Sequence, residues 1–174
     1  MSAPAEPEAY HVRPMTRADL PLARRWLETP EVRRWWGDPD EQAALLEADL
    51  SEPGMRMWIV SWGGRPFAYV QDYDPAFWGL PPFAGVPPGS RGMDPFIGEP
   101  DMLGRGHGAA FLRAHADRLL AQGAPAVFID PDPRNERAIR AYGKAGFEAL
   151  GERLDPAGDR ILLMLRRPPG EDRP

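Results

Sequence analysis

Two periods run through the chain. Apolar residues recur at alternate positions in some stretches, the mark of half-buried strands, and at three- or four-residue spacing in others, the mark of amphipathic helices. Tyr10 to Met15 alternates and predicts a first strand, with Pro14 placing it at an edge or end. Thr16-Arg17-Ala18-Asp19 predicts a helix start, with Thr16 as cap and an acid three residues on. Leu20, Ala23 and Leu27 follow at helical spacing beside Trp26. Thr29-Pro30 stops that helix, Glu31 to Trp36 predicts a short second one, Gly37 to Asp40 a turn, and Glu41 to Leu50 a third helix. Met55 to Trp62 and Arg65 to Tyr73 then form a hairpin across Gly63-Gly64. Its second strand puts Phe67, Tyr69, Gln71 and Tyr73 on one face and Ala68, Val70 and Asp72 on the other.

Asp74 to Ser90 is too rich in Pro and Gly for a regular element, yet carries Phe77, Trp78, Leu80 and Phe83. Such a loop is either functional or an aromatic plug over a sheet edge. Met93 to Gly98 predicts a strand in which Pro95 removes a ladder donor, so an edge, a bulge or a splayed pair is expected there. A glycine-rich turn, Leu103 to Gly108, leads into a helix from Ala109 that ends near Gln122-Gly123. Ala126 to Asp130 reads as a buried strand. Asp132-Pro133 reads as a cap and first helical residue, with the helix stopping near Ala145. Phe147 to Leu154 and Arg160 to Leu165 predict a terminal hairpin across Asp155 to Gly158. Strand pairs flanking βα units argue for an α/β fold, a mixed sheet flanked by helices. With no repeat and no linker in view, residues 10–167 are expected to form one domain between a disordered segment, 1–9, and a loose tail, 168–174.

Composition narrows the function classes. The 174 residues are 43% hydrophobic, enough for a real core. With no Cys there is no disulfide and no thiolate nucleophile, and His11, His107 and His115 are too scattered to suggest a metal site. No apolar run approaches the ~18 residues of a membrane span, and no basic-then-apolar leader opens the chain; the cytoplasm is the expected location. The net charge of −5 is the opposite of a nucleic-acid binder's balance and suits a cationic small substrate.

Four places can carry chemistry. Strand, glycine turn, helix is a phosphate-binding layout, because backbone N–H groups and a helix N-terminus favour an anion; Arg105 can add a charge-assisted bond. The same glycines also serve ordinary steric needs of a βα turn. On the late helix Asn135, Ala138, Ile139 and Tyr142 share one face and can line a thin extended ligand, or Tyr142 is simply a core tyrosine. Asp94 sits inside an apolar strand, so it is either paired with an arginine or open to a cleft with a shifted pKa. Asp130 ends the next strand, where α/β folds collect ligands, or is a turn residue before Pro131.

LGRGHGAAF, followed after one helix and one strand by DPDPRNERAIRAYGKAGF, resembles the acyl-CoA signature of the GCN5-related N-acetyltransferases (GNAT). The second segment, with Asn135, Ala138-Ile139, Tyr142 and Lys144 to Phe147, is the more specific. More narrowly, Trp26-Leu27, Val32 to Gly37, Tyr69 to Gln71, Arg91 to Asp94 and Asp130-Pro131 resemble the bacterial aminoglycoside 6′-N-acetyltransferases. Leu103, where that signature usually begins with Gln or Arg, and His107, in place of an aliphatic residue, depart from it. The resemblance implies the GNAT fold and acetyl-CoA as co-substrate, with no metal. It implies that Asp94 activates the substrate amine and that Tyr142, near the thioester sulfur, acts as acid. Leu103, Gly104, Arg105, Gly106, His107, Gly108 and Ala109 would hold the pyrophosphate. Backbone at Phe96, Ile97 and Gly98 would hold the pantetheine arm, with Asn135 also on the cofactor side. Trp36, Gln71, Asp72, Tyr73 and Asp130, with Asp94, would meet an aminoglycoside. The other acceptors compatible with the sequence are a polyamine, a siderophore hydroxylamine or a protein lysine, and the remaining alternative is a CoA-binding sensor without turnover. A monomer or weak homodimer is expected.

Overall fold

The computed structural model describes residues 10–80 and 83–170. The expected disordered segment 1–9 and the last residues of the expected loose tail, 171–174, lie outside them. Seven strands form one mixed sheet: β1 (Tyr10–Pro14), β2 (Met55–Trp62), β3 (Arg65–Tyr73), β4 (Arg91–Ile97), β5 (Val127–Ile129), β6 (Glu148–Leu154) and β7 (Arg160–Arg166), in the order β1-β2-β3-β4-β5-β7-β6. Among the described residues, only β4 and β5 pair in parallel. Among the described residues five α-helices cover it: α1 (Leu20–Leu27), α2 (Pro30–Trp36), α3 (Pro39–Asp49), α4 (His107–Ala121) and α5 (Glu136–Lys144).

Each face of the sheet has its own apolar core. Trp26, Leu27, Val32 and Leu46 of α1 to α3 pack with Ile59, Tyr69 and Phe96 on one face. Phe111, Leu112 and Leu119 of α4 and Tyr142 of α5 pack with Val60, Val70 and Met93 on the other. From Ala68 to Asp72 the alternation read in β3 divides these two sets, but Phe67, expected beside Tyr69, packs with Phe111 on the α4 face, next to the register shift between Val60 and Ser61.

The later part of the loop after β3 plugs the sheet edge, whereas Phe77, Trp78 and Leu80 stay exposed. Phe83 and Val86 join Ala126, Phe128 and Leu163 in a third cluster, and Trp78 meets the Tyr73 ring edge-on at 6.1 Å. Among the described residues, no part of this loop borders the large cavity described below.

Pro95 explains the shape of the centre. Gly98 donates its N–H to Phe67 O at 2.8 Å, and Arg91 donates to Ala126 O at 3.1 Å. Backbone donors alternate sides along a strand, so even-numbered residues of β4 bond β3, while 91, 93, 95 and 97 face β5. Pro95 therefore costs no bond to β3. It falls where β4 and β5 part after two residue pairs, Arg91↔Val127 and Gly92↔Phe128. Of the three expectations for Pro95, the splayed pair is the one found.

Candidate active site

The gap between β4 and β5 opens into a cavity of about 900 Å³, a size suited to a sizeable small-molecule ligand. Because the sheet is parted here, groups from both faces reach it. Asp94, Gln71 and Phe96 come from the α1–α3 face, and Tyr142, Asn135 and Ala138 from α5 on the other.

Asp94 is held rather than paired. Gln71 Nε2 donates to its carboxylate at 2.9 Å, and the Tyr69 hydroxyl donates to Gln71 Oε1 at 2.7 Å. Burial raises the Asp94 pKa, only partly opposed by the Gln71 hydrogen bond. Asp130 is raised too, by burial, then by the charges of Asp94 and Asp155. Asp155 reaches the site from the β6–β7 turn, because β7 lies beside β5 and Leu162 N–H bonds Pro131 O. One end of the cavity is thus an acidic pocket in which burial and neighbouring carboxylates raise the Asp130 pKa, an arrangement suited to a cationic ligand.

The other end is the turn before α4. Leu103, Gly104, Gly106, Gly108 and Ala109 line it, facing Arg137, Arg140 and Lys144 of α5. Gly104 and Gly106 have φ of 70° and 86°, a conformation that costs other residues about 1–2 kcal/mol. The helix therefore starts at His107, two residues before the predicted Ala109. Free N–H groups at this start and the basic α5 residues together suit an anion.

Tyr142 lines the cavity with its ring in the core beside Phe147. Burial raises its pKa, with further contributions from Asp94 and Asp130. Tyr142 is thus a core residue with one edge on the cavity wall. Asn135 is the cap of α5, accepting the Ala138 N–H at 3.2 Å, so its carbonyl oxygen is engaged and its amide nitrogen is the group left for the cavity. Trp36 stands at the acidic end, edge-on to Phe96 at 4.9 Å and to Tyr69 at 6.0 Å.

Several expected site residues have other tasks. Asp72 is fully buried on the opposite face of β3, bonded to Arg56, Arg91, Trp58 and His115. It is not on the cavity, because its neighbour Gln71 takes that face. Tyr73 lies across Gly92, whose missing Cβ leaves room for its ring, and packs on Phe128. Gly98 accommodates the Trp26 indole and gives its N–H to Phe67 O; of the backbone donors at Phe96 to Gly98, Ile97 alone faces the gap. The His107 side chain turns into the core, its Nδ1 2.8 Å from the Tyr10 hydroxyl. Burial and the Arg105 charge lower its pKa and so favour the neutral ring. The Arg105 side chain is exposed and reaches Asp101 O.

The cavity also includes residues the sequence reading missed. Glu31 and Trp35, four apart on α2, and Gln42 of α3 form its upper lip. Their spacing was the available signal; Asp155, in a hairpin turn, carried none.

A parted mixed sheet, a glycine turn at a helix start and a facing basic helix form a cleft with one acidic and one anion-binding end. The profile of the acetyltransferase (GNAT) domain matches residues 15–153, and the chain belongs to that family. It is 30% identical to an aminoglycoside N(6′)-acetyltransferase type 1 of Klebsiella pneumoniae, over 92% of this chain and 84% of that one. Among solved structures it is similar to AAC(6′)-Ib in complex with paromomycin and acetyl-CoA, with a TM-score of 0.81, 29% identity, and coverage of 92% of this chain and 94% of that one. The same enzyme bound to coenzyme A and kanamycin matches with a TM-score of 0.80 and 30% identity, over 91% of this chain and 95% of that one. No helix among the described residues is long and apolar enough to cross a membrane, and no group of His, Cys, Asp and Glu among them could hold a metal.

Proposed function

We propose that the protein transfers acetyl from acetyl-CoA to the 6′-amine of an aminoglycoside. The observation that carries this reading is the polarity of one cavity: unpaired carboxylates of Asp94, Asp130 and Asp155 at one end, a glycine turn facing cationic α5 residues at the other. A polycationic sugar and a polyanionic cofactor fit those ends, and their reacting groups meet at the gap beside Ile97. Asp94, raised in pKa by burial and oriented by Gln71, takes a proton from the substrate ammonium. The freed nitrogen bonds the acetyl carbon as the C–S bond breaks. The Ile97 N–H polarises the carbonyl, and the Tyr142 hydroxyl gives its proton to the departing sulfur and is refilled by the second proton that the nitrogen sheds as the amide forms. With acetyl-CoA as donor, the reaction belongs in the cytoplasm.

The test is thiol release from acetyl-CoA with kanamycin, a polyamine and a lysine peptide. Kanamycin is expected to be the preferred acceptor. Asp94→Asn and Tyr142→Phe should each lower kcat by roughly 10²-fold or more while leaving acetyl-CoA's thermal stabilisation intact. Preference for another amine would move the acceptor assignment, and binding without any thiol release would make the protein a sensor.

A further inference from the structure

Glu31 is a carboxylate that the reaction described above does not use. It lies in the first turn of α2 and borders the cavity with Trp35, Trp36 and Gln42. Its Oε2 is buried and has no hydrogen-bond partner. The other carboxylates of this protein show what a satisfied one looks like. Asp72 has two arginines, a tryptophan N–H and a histidine, and Asp19 has a bidentate arginine and a backbone N–H. A buried acceptor left without a donor is costly and calls for an explanation.

The surroundings supply none from the protein. The nearby cation, Arg34, stacks over the Trp35 ring at 4.8 Å instead. Yet the carboxylate is on the wall of a cavity already acidic at its far side. That oxygen has almost no accessible surface where it lies, so the side chain has to turn toward the cavity to meet an arriving N–H donor, and a cationic donor would add charge to the bond. Glu31 is on the helical lip, on the α1–α3 side, whereas Asp94 is on β4 and Asp130 and Asp155 lie beyond the gap. A ligand touching both must therefore carry a second cationic group away from the reacting amine.

We propose that Glu31 determines acceptor specificity by binding a second ammonium group of a polycationic acceptor. This rests on the proposed aminoglycoside reading, and it favours acceptors with more than one amine. The probes are kanamycin, a polyamine sugar, and methyl 6-amino-6-deoxyglucoside, which carries the reacting amine alone. Glu31→Gln keeps shape and helix position and removes the charge. Calorimetric binding to the CoA-bound enzyme should weaken about tenfold for kanamycin, about 1.4 kcal/mol, and change little for the monoamine. In turnover the loss should appear in KM and not in kcat, with acetyl-CoA's thermal shift unchanged. Equal effects on both sugars, or none, with wild-type acetylation intact, would overturn the role of Glu31 and leave the aminoglycoside reading standing. A wild-type protein that neither binds nor acetylates kanamycin would overturn both.

Discussion

Asp72 and Asp94 look alike in sequence, each a carboxylate inside an apolar strand, and the structure gives them opposite lives. They sit on paired strands, where Gln71↔Asp94 and Asp72↔Met93 are neighbouring pairs, so they point to opposite faces of the sheet. Asp94 finds an amide and a cavity. Asp72 finds Arg56, Arg91, His115 and Trp58. Burial pushes the Asp72 pKa up, but the His115 hydrogen bond and charge, the Trp58 N–H and the Arg56 charge more than offset it and leave it well below the ordinary range. Its contribution to stability is thus complete above the ordinary carboxylate value, about 3.9, and is lost as pH falls toward the depressed native one. Asp72→Asn should destabilise by about 3 kcal/mol at neutral pH, since it strips a buried charge cluster of its anion. The more exposed Arg56 contributes less than the buried partners. Denaturant unfolding and kanamycin turnover by the refolded variant would measure this, and normal stability with lost turnover would return Asp72 to the substrate site. The alternation of β3 already put Asp72 opposite Gln71. What the sequence lacked was which face held the cavity, and that depends on Arg56, Arg91 and His115 arriving from three other elements.

At the scale of elements, one dipeptide shows where local signals suffice. Asp38-Pro39 and Asp132-Pro133 carry the same cap-then-proline pattern. The first is a cap: Asp38 accepts from the N–H groups of Asp40 and Glu41, and α3 begins at Pro39, two residues before its predicted start. The second is a turn: Asp132 accepts the Arg134 N–H and pairs with its guanidinium, and α5 waits for Asn135. Asn135 wins because it is a strong cap lying nearer the apolar periodicity. The glycine turn was legible because its glycines have distinct duties. Gly104 and Gly106 supply positive φ, whereas Gly108 sits in ordinary helical backbone with only Ile97 Cδ1 at 3.6 Å from an added Cβ. That separates folding from binding. Gly108→Ala should stabilise the free protein by about 0.5–1 kcal/mol through helix propensity. Its methyl projects beside the cavity wall and should shrink the acetyl-CoA-induced rise in Tm. Thermal melts with and without acetyl-CoA give both numbers. A larger free-protein Tm with an undiminished ligand shift would remove Gly108 from the binding surface.

For the whole molecule, the consequence of a parted sheet is electrostatic. The strand order places the β6–β7 turn beside the end of β5, so Asp155 and Asp130 converge although they are far apart in sequence. With Asp94 across the gap, burial and the charges of Asp94 and Asp155 strengthen the hold of Asp130 on its proton. Local periodicity predicted every strand but not this meeting, because β7 inserts between β5 and β6 only through long-range pairing. The sign of the effect follows from linkage. Asp94 and Asp130 have raised native pKa values, so the folded protein holds more protons than the unfolded chain above the ordinary carboxylate range. Stability therefore falls as pH rises through the raised values. A bound polycation reverses this by favouring the charged carboxylates, and it must expel the protons they hold. Near pH 6 aminoglycoside amines are already largely protonated, so proton release from the pocket dominates. Kanamycin binding to the CoA-bound enzyme should then release protons, seen as a binding enthalpy that varies with the ionisation enthalpy of the buffer. Asp130→Asn should reduce that release. The affinity of the wild type should rise from pH 5 to pH 7 and weaken with added salt, as ionic attraction in an open cleft is screened. Binding enthalpy independent of buffer, with kanamycin still acetylated, would show that the acidic pocket is already fully ionised, and Asp94 would then begin the reaction as a free carboxylate whether or not substrate is bound.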